Sequence, residues 1–248
     1  MAVAETLSPP PAPVNTPAPA STPAPPRRRR SVKRRVVRAL VAVVIGYLIL
    51  WAVGSLSILV AHQWIKSETP APAGTRVVQG VHNFQPVDSA GHLWRGGAPS
   101  PTGYRGLADM GITTVVDLRA EKLSAAQLAG PEKAGLEVVR MPVRDGQTPT
   151  PNQVRQFMDT VTSSAGPVFV HCGAGVGRTG TMAAAYLVQS GEESASAAVR
   201  RNLSVGPPSI EQIWYGLHLG KDKAEQPPAG VEALSRLVDA PRRIWSYL

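Results

Sequence analysis

Ten consecutive residues, His171-Cys172-Gly173-Ala174-Gly175-Val176-Gly177-Arg178-Thr179-Gly180, set a thiol six positions before an arginine, with alternating glycines between them. A short glycine-rich turn can aim successive backbone N–H groups into one concavity, and a helix starting just beyond it reinforces the field. Together they make an anion site of phosphate size. Gly173, Gly175 and Gly177 admit positive φ and close backbone approach, with Ala174 and Val176 completing the cradle. Arg178 adds a planar, permanently charged fork able to hold two phosphate oxygens. Cys172 is the only cysteine, so no intramolecular disulfide can form and the thiol is explained by packing or by chemistry. The field that draws phosphate also favours thiolate over thiol. A thiolate beneath a bound phosphate is placed for in-line attack on phosphorus, giving a phosphocysteine that water then hydrolyses. This chemistry requires neither metal nor cofactor, and no His/Asp/Glu cluster in the chain has metal-ligand spacing.

An alcohol leaving group departs as an alkoxide unless it is protonated, so a carboxylic acid is needed on a facing loop. The stretch Met141-Pro142-Val143-Arg144-Asp145-Gly146-Gln147-Thr148-Pro149 offers Asp145 in a turn-rich segment after an apolar run. Asp145 is the expected general acid. Asp117, in Val115-Val116-Asp117-Leu118-Arg119, is the competing carboxylate, and its place before Arg119 suits a structural hydrogen-bonding role better.

The elements that must position these residues follow from periodicity. Gly111–Leu118 and Leu136–Val143 read as strands rich in β-branched residues. Pro167–His171 is a short, wholly apolar strand, as expected at the centre of a sheet covered on both faces. Pro151–Ser164 has helical spacing behind an initial proline, Thr179–Gln189 is a helix, and Ser194–Arg201 and Ser209–Leu219 read as two more. Strands alternating with helices imply an α/β fold with a central, mainly parallel sheet flanked by helices.

The loop HCGAGVGRTG resembles the active-site loop of the protein tyrosine phosphatase superfamily, pattern HCxxGxxR[ST]G, with every fixed position present. The stretch NFQPVDSAGHLWRGGAPSPTGYRGLADMGITTVVDLR and the segment RDGQTP resemble the compact bacterial and atypical dual-specificity members, over about residues 82 to 220. The resemblance implies a dual-specificity-phosphatase-like fold and hydrolysis of a phosphomonoester, with Cys172 as nucleophile and Asp145 as acid. Arg178 and the backbone of residues 173–177 bind the phosphate. The Thr179 hydroxyl is expected to hydrogen-bond the Cys172 sulfur, and His171 to orient the loop through its ring N–H. No lysine lies inside the loop, which favours a phosphoprotein or a small phosphomonoester substrate. A phosphoinositide or other lipid or inositol phosphate is the alternative. A phosphate-binding pseudophosphatase receptor is the reading of another class, disfavoured by the intact Cys172, Arg178 and Asp145.

The net charge of +9 over 248 residues is concentrated. Residues 1–38 hold eight basic side chains against Glu5 alone, net +7, whereas residues 66–248 hold eighteen basic and sixteen acidic, net +2. The basic cluster adjoins Ala39–Ala61, an uncharged apolar run of roughly 35 Å as a helix, enough to cross a bilayer. Membrane insertion therefore accounts for the cluster, and nucleic-acid binding is not expected. The expected organisation is a disordered Pro-rich and basic tail over 1–35, a transmembrane helix over 36–65, a linker over 66–80 and a phosphatase domain over 81–248. The positive-inside bias places the N-terminus in the cytoplasm and the catalytic domain outside it. A cleaved signal peptide is the minority reading, since its apolar core is usually only about 7 to 15 residues.

Overall fold

The computed structural model describes residues 30–245; most of the Pro-rich tail expected over 1–35 lies outside them. The described residues fall into two units that divide after Val44. Among the described residues a single helix, α1 (Arg30–Glu68), is long and apolar enough to cross a membrane. It runs further at both ends than the 36–65 read from the sequence. Lys33, Arg34 and Arg35 are good helix formers and extend it backwards, and Pro70 stops it, because a residue before proline is driven from helical geometry. Within the second unit, one stripe of α1 touches the catalytic part. The Tyr47 hydroxyl donates to Leu237 O at 3.2 Å, and His62 Nδ1 donates to Leu203 O at 2.6 Å.

The sheet begins with a short edge pair missed by the sequence reading, β1 (Gln85–Pro86) antiparallel to β2 (Leu93–Gly96). Helix α2 (Pro101–Asp109) follows, capped by the Ser100 hydroxyl, and leads into β3 (Thr114–Arg119). Two single-turn helices, α3 (Ala125–Leu128) and α4 (Gly130–Lys133), precede β4 (Glu137–Val143). A capping box between Thr150 and Gln153 starts α5 (Pro151–Ser163), and β5 (Val168–His171) enters the middle of the sheet. Helices α6 (Gly177–Gln189), α7 (Ala195–Val205), α8 (Ile210–Leu217) and α9 (Ala229–Trp245) complete the described chain.

The strand order is β1-β2-β5-β3-β4, with every pairing parallel except β1–β2, so the sheet is mixed and mainly parallel. β3 and β5 are buried along their whole length because helices cover both faces. Val168 and Val170 point toward Phe157 of α5 and Met182 of α6, while Phe169 packs with Leu107 of α2. Burying these side chains on both faces is what holds the central strand in register, each contributing on the order of 1.5–3 kcal/mol. In such sheets ligands bind beyond the carboxyl ends of the strands. Here the chain leaving β5 emerges between β2 and β3, so residues from four strand ends converge on it.

Candidate active site

The turn from β5 to α6 is residues 172–176. Its carbonyls are taken up one after another by groups outside the cradle. His171 Nδ1 donates to Cys172 O at 3.1 Å, Ala98 N to Gly173 O at 2.8 Å and Asn83 Nδ2 to Ala174 O at 2.8 Å. Arg95 Nη2 donates to Gly175 O at 2.8 Å and to Val176 O at 3.3 Å. In a trans peptide the N–H points opposite to the C=O. Carbonyls drawn outward therefore turn the N–H groups of residues 173–177 inward. The first turn of α6 has no side-chain cap at Val176, leaving its own N–H groups to an anion.

Gly175 is required here on two counts. Its φ is +74°, and a Cβ would fall 2.3 Å from Gly96 C and 2.4 Å from Gly97 N. The loop thus rests directly on the end of β2. Asn83 is the one non-glycine residue with positive φ among the described residues, 54°, a conformation asparagine tolerates better than most. Its strain is spent where its amide pins the loop.

Cys172 sits at the base of the cradle, 3% exposed. Arg178 is almost fully buried and already oriented. Nη1 donates to Glu121 Oε2 at 2.9 Å and to Val143 O at 3.1 Å, and Nη2 donates to Glu121 Oε1 at 2.7 Å. Burial would lower the Arg178 pKa, but its bonds to Glu121 and the charges of Cys172 and Asp145 raise it. Burial would raise the Glu121 carboxyl, yet the Arg178 hydrogen bonds outweigh it and hold that group below the ordinary carboxylate range. Nε is left facing Asp145, whose Oδ1 lies 3.4 Å away. The loop carrying Asp145 is tied to the first turn of α8: Ser209 Oγ donates to Gly146 O at 2.8 Å, and Gln212 Nε2 to Gln147 O at 3.0 Å.

The structure therefore brings Cys172, Arg178 and Asp145 together and separates Asp117 from them in role. Asp117 accepts from the Arg119 backbone N–H and from Nε and Nη2 of the same residue, each at 2.9 Å. Burial would raise the Asp117 carboxyl, but the Arg119 bonds prevail and lower it. His171 is fully buried, and burial pushes its pKa down to about 4, so its ring is neutral at pH 7. The Thr179 hydroxyl is buried without a hydrogen-bond partner, so the bond to the Cys172 sulfur read from the sequence is not made. Of seven orphaned buried side-chain polar atoms among the described residues, four (Arg95 Nε, His171 Nε2, Arg178 Nε and Thr179 Oγ1) border this loop, a concentration found at functional sites. No group of three or more His, Cys, Asp or Glu among the described residues could hold a metal ion. Sequence reasoning missed Glu121, Arg95 and Asn83. A carboxylate two residues past Asp117-Leu118-Arg119, and an arginine before two glycines, were the available signals.

A mixed α/β sheet with this loop at the carboxyl end of its central strand defines a cysteine-dependent phosphatase of the protein tyrosine phosphatase superfamily. The chain belongs to the family described as DSP-PTPase phosphatase fused to NAD+ kinase, whose model matches residues 71–215. It is 32% identical over 141 residues to rice (Oryza sativa subsp. japonica) Probable NAD kinase 2, chloroplastic, covering 54% of this chain and 13% of that protein. It is 37% identical over 78 residues to the mouse (Mus musculus) dual specificity protein phosphatase CDC14A, covering 32% of this chain and 12% of the relative. The match thus spans only a small part of each relative's length. Among solved structures, the core catalytic domain of the PP-IP phosphatase SIW14 from S. cerevisiae, in complex with citrate, shares the fold. Its TM-score is 0.50 at 16% identity, over 68% of this chain and 98% of that one.

Proposed function

We propose that this enzyme is a dual-specificity protein phosphatase working through a phosphocysteine on Cys172. The observation that carries the substrate class is the cleft beside the loop. About 390 Å³ in volume, it is lined by His82, Ala98, Pro99, Tyr104, Arg119 and Gln127, and it adjoins the loop at the Ala98–Gly173 hydrogen bond. Its aromatic and apolar walls suit an amino-acid side chain. Its one arginine is already paired with Asp117, so it offers little to a second phosphate.

The phosphate dianion enters the cradle of inward N–H groups and takes Arg178 Nε, displacing the Asp145 contact. Cys172 thiolate attacks phosphorus as the ester P–O bond breaks. Asp145, acting as the general acid, gives a proton to the departing oxygen. Water then attacks the phosphocysteine, Asp145 carboxylate takes a proton from that water, and the P–S bond breaks to return thiolate and inorganic phosphate.

Asp145→Asn tests the acid. The full chain in detergent micelles should lose about 10²- to 10³-fold in kcat on phosphotyrosyl and phosphoseryl peptides, yet far less on aryl phosphates with acidic leaving groups. A uniform loss across leaving groups would give Asp145 a structural role. Parallel assays on vesicles carrying phosphoinositides test the substrate class, since faster turnover there than on peptides would replace the protein reading with a lipid one.

We also propose that residues 36–61 anchor the enzyme as a single-pass membrane protein, N-terminus in the cytoplasm and catalytic domain outside. The length and apolarity of α1 and the basic residues at its start support this. Insertion would carry Tyr47 and Gly54 to bilayer depth. α9, with Glu232, Arg236 and Asp239, would then have to leave its contact with them. The chain should stay in the membrane fraction after salt and carbonate washing. Protease added to cells whose wall has been made permeable but whose membrane is intact should degrade the domain around Cys172 and spare the tail. Release of the chain by carbonate would refute the anchor, and protection of the domain would reverse the orientation.

A further inference from the structure

Arg95 stands outside the cysteine–arginine–aspartate set, in a strand no sequence pattern singled out. It is 3% exposed, and among the described residues no carboxylate lies within ion-pair distance of it. Its hydrogen-bond partners are neutral: Gly175 O, Val176 O, and Asn202 Oδ1 at 3.0 Å. A buried cation without a counter-charge is among the costlier things a fold can hold. It persists where something else supplies the opposite charge.

We infer that Arg95 is a positioning residue for phosphate transfer, bracing the Gly175 and Val176 carbonyls outward and setting a fixed positive charge behind the loop that the Cys172 thiolate and the bound phosphate balance. The inference rests on the phosphatase reading of this site. Three features converge on it. The Arg95 guanidinium donates to two successive loop carbonyls; Val176 O is also held by the Gly180 N–H of α6 at 2.9 Å, so the loss of Arg95 frees chiefly the peptide that carries Gly175 O. Gly96 and Gly97, next in the chain, are where Gly175 rests, so the same strand end sets both the height of the loop and the direction of its peptides. Asn202 locks the guanidinium from the far side and also packs on Gly180 of α6, where a Cβ would fall 1.6 Å from Asn202 Oδ1. Burial pushes Arg95 down to about 10 and the Cys172 charge raises it, so it remains a cation through the working pH range.

The other charged groups around Cys172 are already committed. Arg178 is bound to Glu121 and near Asp145, Arg119 is bound to Asp117, Arg201 is paired with Glu193, and His171 is neutral. Arg95 is therefore the cation whose compensation is left to the thiolate and the substrate.

The test compares the full chain in detergent micelles with Arg95→Met and Arg95→Lys. It reads tungstate inhibition, kcat and KM on an aryl phosphate, and the pH dependence of iodoacetamide alkylation, which reports Cys172 alone in a single-cysteine chain. Arg95→Met should weaken tungstate inhibition about 10- to 100-fold. It should also move the rise of the alkylation rate to higher pH by on the order of one unit. Arg95→Lys should restore the alkylation profile, because the charge returns. It should recover tungstate inhibition only partly, because one ammonium cannot brace the same set of acceptors as the fork. Unchanged tungstate inhibition and an unchanged profile in Arg95→Met would overturn the inference. So would equal defects in the Met and Lys variants, which would mark a packing role without charge. If Arg95→Met fails to fold, Arg95→Lys carries the test: wild-type inhibition by tungstate would sink the bracing role, and weakened inhibition with a wild-type alkylation profile would sustain it. Absence of turnover in the unsubstituted chain is read separately and would remove the phosphatase reading itself.

Discussion

Cys172→Ser should bring phosphate release from an aryl phosphate down by about 10⁴-fold or more while leaving inhibition-type binding of tungstate or inorganic phosphate within a few-fold of wild type. The two halves of that result come from different atoms. The oxyanion is held by N–H groups that the outward carbonyls of residues 172–176 turn inward, and by Arg178. None of these is the sulfur. Turnover, in contrast, needs a nucleophile that is already an anion when phosphate arrives. A serine hydroxyl is not, because an alcohol is a far weaker acid than a thiol. The neighbouring imidazole has its Nδ1 committed to Cys172 O and is buried in the neutral form. The measurement is steady-state hydrolysis alongside isothermal titration with tungstate. A serine variant keeping near wild-type activity would falsify the phosphocysteine route. One that lost tungstate binding as well would show that the sulfur shapes the cradle and not only the chemistry.

How far the site could be read from the sequence depended on whether its parts are contiguous. The cradle is ten residues in a row, and the residue types demanded by an anion site, a thiol and a fork all fall within it. β3, β4 and β5 were legible because the sheet requires apolar, β-branched runs, α5, α7 and α8 because their capping residues and periodicity agree, and α6 from its apolar, alanine-rich run. β2 was not. It is four residues long and places an arginine in the interior, which argues against a strand until the loop carbonyls that receive the guanidinium are seen. α2 carries Gly103 and Gly106, which weaken helix propensity. Packing requires the first, since a Cβ at Gly103 would meet Gly80 O at 2.7 Å. Glu121 and Asn83 escaped for a different reason. Each acts through one hydrogen-bonding group delivered from a separate stretch of chain, and only the parallel order β2-β5-β3 gathers those stretches around Cys172. Thr179 shows the opposite limit. Its neighbourhood to Cys172 was implied by the resemblance of the loop, whereas the direction of its hydroxyl was not legible.

Arg178→Lys, nominally conservative, should cost about 10³-fold in kcat/KM, and unlike Cys172→Ser it should abolish tight tungstate binding too. In the structure the guanidinium divides its donors between two tasks. Nη1 and Nη2 fix the fork through Glu121 and Val143 O, and Nε faces the place where a phosphate oxygen would displace Asp145. A lysine brings one nitrogen at the end of a flexible stem. If that nitrogen pairs with Glu121, it is withdrawn from the phosphate. If it turns to the phosphate, Glu121 is left partly buried with no partner and repels the incoming dianion. Either way one of the two tasks fails, and both are needed before the transition state is reached. Glu121→Gln separates them: it keeps a hydrogen-bond acceptor for the fork but removes the charge, so it should lose only about tenfold, with tungstate binding largely kept. Stopped-flow or steady-state kinetics on one aryl phosphate across the three proteins measures the difference. Arg178→Lys within tenfold of wild type would mean that a point charge suffices, and the division of the fork between Glu121 and substrate would have no part in the rate.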